Sequence, residues 1–80
     1  MFNVDDIVII RKASNASLNL YMKAKQKGLS YVKCPCNAKT GQVFRVKSLF
    51  GKGGFLLQGE NNGLITVAFS NDLRRVNINE

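Results

Sequence analysis

The chain has 80 residues, 45% of them hydrophobic, with a formal net charge of +7 and no histidine. A chain this short makes one domain, 1–80, that buries about 60% of the surface its unfolded form exposes, so a second core is excluded. No apolar run approaches the ~20 residues of a membrane span, and the opening Met-Phe-Asn-Val-Asp-Asp lacks the basic start and apolar centre of a secretory signal, so a cytoplasmic protein without membrane contact is expected.

In chain order, Val4 and Ile7 to Ile10 form an apolar run, entered through the turn-forming pair Asp5-Asp6 and closed by Arg11-Lys12. That pattern predicts a buried strand. LNLYMKAKQK, residues 18 to 27, supports two readings. Ser17 as a cap, Leu18, Tyr21 and Met22 on one face and Gly28 as a stop describe a short helix. Leu18, Leu20, Met22 and Ala24 also alternate as in a strand, but Ala, Lys, Gln and Met favour the helix. Leu29 to Cys34 is a short strand candidate ended by Pro35, and Lys39-Thr40-Gly41 supplies a turn.

From Gln42 to Phe50 the residues alternate. Phe44, Val46 and Phe50 are expected on one side of a strand, Arg45 and Lys47 on the other. Gly51-Lys52-Gly53-Gly54 reads as a hairpin tip leading into Phe55 to Gln58. Glu60-Asn61-Asn62-Gly63 turns into Leu64 to Phe69, and Ser70-Asn71-Asp72 into a closing segment, Leu73 to Ile78. About five short strands in so small a chain predict a mainly β protein, a small bent antiparallel barrel, since closure removes exposed edges.

Val4-Asp5-Asp6-Ile7-Val8-Ile9-Ile10 resembles the opening of SH3-like barrels of the KOW and Tudor type. Thr40-Gly41-Gln42-Val43-Phe44-Arg45-Val46 is similar to their glycine-then-strand element. Val67-Ala68-Phe69 followed by Asp72-Leu73-Arg74-Arg75-Val76 resembles their last long strand, helical turn and closing strand. The resemblance implies an SH3-like barrel in which residues 12–40 form an extended first loop or insertion, with Asp5 standing where such proteins often have glycine. Members of this fold bind RNA, DNA or peptides. The segment after Gly41 is a common ligand contact among them, which points to Arg45 and Lys47.

The charge distribution carries the functional reading. The acids are Asp5, Asp6, Glu60, Asp72 and Glu80, so Ile7 to Gly59 contains none, while ten of the twelve basic residues lie in that span. Such a domain carries a positive field that draws in polyanions. The expected function is nucleic-acid binding, to DNA or RNA, mainly through phosphates. Arg45, Lys47 and Lys52 would lie on one side of the basic face and Lys23, Lys25 and Lys27 on the other, with Tyr31 as a stacking platform if it is exposed. The alternative is a protein-interaction module, such as a phage or mobile-element accessory protein, that presses the same face on an acidic host protein. A monomer or small homo-oligomer is expected.

Catalysis has little to stand on without histidine or paired carboxylates, so no enzyme and no cofactor is expected. Cys34-Pro35-Cys36 supplies only two of the four ligands a structural zinc site wants. A disulfide across one residue is strained and rare in the cytosol. The pair is therefore expected to act as two small apolar residues, ahead of metal bridging between subunits or redox work. The Gly51 to Gly54 segment lacks the spacing of a phosphate-binding P-loop.

Overall fold

A computed structural model describes residues 2–38 and 41–76. Five antiparallel strands form one sheet in the order β4-β3-β2-β1-β5, with β1 Ile7–Ile10, β2 Val43–Leu49, β3 Gly54–Gly59, β4 Ile65–Phe69 and β5 Leu73–Arg75. One α-helix, α1 Asn15–Gln26, lies between β1 and β2, and 3-10 turns span Pro35–Asn37 and Ser70–Asp72. The second of these turns carries the chain from β4 at one edge back to β1, where β5 pairs.

The sheet has apolar residues on both faces. On the inner face, every strand contributes to one cluster: Val8, Phe44, Val46, Phe55, Leu57, Ala68 and Leu73. Phe2 closes it by meeting the Phe55 ring edge-on at 5.8 Å between centroids. On the outer face, α1 lays Leu20 and Ala24 over Val67, with Val32, Leu56, Phe50 and Phe69 packed around them. β4 is therefore covered on both sides, and its Thr66, Val67 and Ala68 are fully buried.

The expected alternation in β2 holds only as far as Val46. Phe44 and Val46 are buried and Arg45 points outwards, but the pairing with β3 shifts between Val46 and Ser48, leaving Lys47 as a bulge. One extra residue reverses the parity of everything that follows. Phe50, expected beside Phe44, accordingly packs in the outer cluster under α1.

The segment 18–27 is helix, with a different buried face from the one expected. Ser17, Leu20 and Ala24 face the sheet, whereas Met22 is 56% exposed. Ser14, not Ser17, occupies the N-cap position. The helix ends as Gly28 predicts: this glycine takes φ +87°, the Gly28 amide donates to the Lys25 carbonyl and the Leu29 amide to that of Ala24. Leu29 to Cys34 makes no strand and contributes one parallel bridge, Lys33 to Thr66. Lys39 and Thr40 of the expected turn and Ile78 of the closing segment lie outside the described residues.

Candidate functional site

The structure divides the basic residues by what happens to their charge. Asp5-Asp6 reaches β1 through a turn in which the Asp6 amide donates to the Asn3 carbonyl and the Asn3 amide to Asp6 Oδ2 at 2.8 Å. Asp6 also takes Arg75 Nη2 at 2.8 Å, and the Asn3 amide and the Arg75 guanidinium hold its carboxyl below the usual range. Arg75 lies over the Phe2 ring at 5.2 Å, so this ion pair sits at the mouth of the inner cluster.

Arg45 projects outwards from β2, as its position in the alternation requires, into two carboxylates. Its Nε and Nη2 donate to Glu60 Oε2 and Oε1 at 2.9 and 3.1 Å, a bidentate pair, and Nη1 lies 3.8 Å from Asp5. The Arg45 hydrogen bond lowers the Glu60 pKa, and the nearby charge of Lys47 adds to the effect. Arg45 and Lys47 thus belong to the neighbourhood of Glu60. The fourth described acid, Asp72, is 1% exposed and is met by the hydroxyls of Ser14 and Ser17.

Every carboxylate among the described residues is therefore either paired with arginine or buried. No described carboxylate lies at ion-pairing distance from Arg11, Lys12, Lys23, Lys25, Lys27, Lys33, Lys47, Lys52 or Arg74, and all of these are exposed.

Several of these cations meet along α1 and the β2–β3 hairpin. Leu20 packs so closely over the hairpin that a Cβ at Gly54 would lie 2.6 Å from its Cδ1, and Gly51 is also in its reach. The Lys27 ammonium sits 5.4 Å from the centre of the Phe50 ring. Lys23, three residues after Leu20 and four before Lys27, shares that edge of the helix. The tip carrying Lys52 is thereby held against α1 at Leu20, with its base at Lys27. Lys25, on the opposite flank of the buried face, lies 5.5 Å over the Tyr21 ring and donates to the Ser30 carbonyl at 2.8 Å. The adjoining Tyr31 is 55% exposed, whereas Tyr21 and Phe50 are partly buried in the outer cluster.

The site residues read from the sequence thus fall into three groups. Lys23 and Lys27 lie along the edge of α1 that meets the hairpin carrying Lys52, Lys25 lies on the opposite flank of the buried face with Ser30 and the adjoining Tyr31, and Arg45 and Lys47 stand with Glu60. Sequence reasoning missed a second feature. Ile10, Arg11, Lys12 and Ala13 at the end of β1 line an open cleft of about 270 Å³ together with Pro35, Cys36 and Ala38. Cys34 and Cys36 are joined as a disulfide there, so the expectation of two merely apolar residues gives way. Among the described residues no group of three or more potential metal ligands occurs. Comparison with protein-family models, curated protein sequences and solved structures finds no match to this chain.

Proposed function

We propose that this protein is a small SH3-like barrel that binds nucleic acid through phosphate contacts made by α1 and the β2–β3 hairpin. The barrel reading is supported by the single inner cluster to which all five strands contribute, and by the return of β5 to the outer edge of β1 through a 3-10 turn. Residues 12–40 are then a first-loop insertion whose helix covers the outer face of β3 and β4.

The observation that carries the functional reading is the fate of the acids. Four carboxylates are consumed within the fold, so the lysines of α1 and Lys52 face solvent with no described carboxylate to offset them. Uncompensated ammonium groups attract a polyphosphate backbone and release its condensed counterions on binding. Lys23, Lys27 and Lys52 are assigned the phosphate contacts, with Lys25 on the other flank of α1 near Tyr31. Tyr31, exposed next to the Lys25–Ser30 contact, offers a face on which an unpaired base stacks. Arg45, expected as a central contact, is assigned instead to clamping the β3–β4 turn onto β2.

Lysine acetylation with and without a bound oligonucleotide tests this assignment. Protection of Lys23, Lys27 and Lys52 is expected. Protection confined to Lys12 and Lys33, or none, would contradict it. Protection of the same lysines only by an acidic protein from extract, and not by DNA or RNA, would transfer the face to a protein partner.

A further inference from the structure

We infer that Cys34–Cys36 is a thiol–disulfide exchange site for anionic low-molecular-mass thiols, an inference separate from the nucleic-acid reading. The bridge joins cysteines two positions apart. A loop this short restrains the unfolded chain less than a longer one, and both cysteines sit in one turn, so the bridge fastens no two elements together. Its surroundings suit chemistry instead. Pro35 is fully buried and anchors the turn Pro35–Asn37, which leaves Cys36 exposed and Cys34 half-buried. Cys36 lines the open cleft of about 270 Å³ that Arg11 and Lys12 border. The Cys36 amide donates to Cys34 Sγ at 3.4 Å.

These features give the two sulfurs different roles. An incoming thiolate attacks the exposed Cys36 Sγ, the Cys34–Cys36 bond breaks, and Cys34 Sγ leaves as a thiolate stabilised by the Cys36 amide. A second thiol then attacks the mixed disulfide on Cys36, releasing the oxidised external disulfide and leaving two protein thiols. Two external thiols supply the two electrons, and the same steps reversed reoxidise the pair. Arg11 and Lys12 favour a thiol that carries carboxylate charge.

The test uses the full chain with reduced glutathione, a carboxylate-bearing thiol, and cysteamine, a cationic one. Intact mass should show the oxidised protein gaining two hydrogens with either reagent. Glutathione should react roughly tenfold faster once rates are scaled to thiolate concentration, and Arg11→Ala with Lys12→Ala should remove that preference. In Cys34→Ser treated with oxidised glutathione, the remaining Cys36 thiolate should attack it, trap one glutathionyl group as a mixed disulfide and release the other as reduced glutathione. In Cys36→Ser, Cys34 should trap the glutathionyl group much more slowly. A protein whose cysteines stay as free thiols after treatment with oxidised glutathione, equal trapping by the two variants, or no charge preference would each overturn the proposal.

Discussion

Ser17, on the buried face of α1, donates its hydroxyl to Asp72 Oδ2 at 2.5 Å and accepts the Phe69 amide at 2.8 Å, tying the helix to the β4–β5 connection. Ser14 adds its hydroxyl at 2.6 Å and its amide at 3.0 Å to the same carboxylate oxygen. The N-cap residue of α1 is thus anchored by a side chain 58 residues away.

Asp72→Ala should destabilise the protein by about 3 kcal/mol, since it strands the buried Ser17 hydroxyl and the part-buried hydroxyl and amide of Ser14. Burial alone would raise the Asp72 pKa, but the hydrogen bonds from Ser14 and Ser17 and the charge of Lys12 outweigh it and leave it lowered. A folded pKa below the unfolded one stabilises the native state above the unfolded value of about 3.9, and that stability is lost as pH falls through the folded value. Denaturant midpoints measured from pH 6 down to about 2.5 should fall, and fall less in Asp72→Asn.

Asp5 takes φ +77° in the turn before β1, a conformation costly for a residue with a Cβ. Asp5→Gly should raise stability by about 0.5–1 kcal/mol in thermal unfolding, because the exposed contact it gives up, 3.8 Å from Arg45, contributes little.

Phe44 lies inside the inner cluster and Arg45 outside it. Phe44→Ala should cost about 3–5 kcal/mol, a large share of the stability of so small a domain, and Arg45→Ala far less. Urea unfolding that ranked the two in the opposite order would place β2 in the wrong register.

Period-two alternation made β2, β3 and β4 legible, and Gly28 marked the end of α1. The bulge at Lys47 was not legible, because one inserted residue depends on how β2 pairs with β3 and leaves no local signature. Phe50 was misplaced for that reason. Local spacing points to Met22 and Leu18 as the helix face, but the face is set by tertiary packing, with Leu20 fitted over Gly54 and Ala24 in the cluster with Val67. The positive charge was readable from composition. Its distribution was not, since Glu60 follows Arg45 by fifteen positions and meets it only through the sheet. Asp72 looked like a turn residue until Ser14 and Ser17 came to it in three dimensions.

Replacing Cys34 and Cys36 together by serine should cost about 1–2 kcal/mol, because the closed loop is so short, and should leave nucleic-acid affinity unchanged. Loss of folding in that variant would show that the bridge is structural.

Tyr31→Ala should weaken single-stranded oligonucleotides by about 1–3 kcal/mol and leave duplex binding nearly unchanged, as stacking needs an unpaired base. Equal losses on both would remove Tyr31 from the site.

The most direct test of the phosphate-binding assignment is a titration of labelled single-stranded and duplex oligonucleotides at several salt concentrations, with the parent protein and the triple variant Lys23→Ala, Lys27→Ala, Lys52→Ala. Log affinity should fall linearly with log salt, with a slope of about −0.7 to −0.9 for each phosphate neutralised, and the triple variant should lose about three such contacts. Arg45→Ala should leave both affinity and slope nearly unchanged. Absence of binding by the folded protein up to roughly 50 µM near physiological salt, or a triple variant that binds as the parent does, would contradict the assignment.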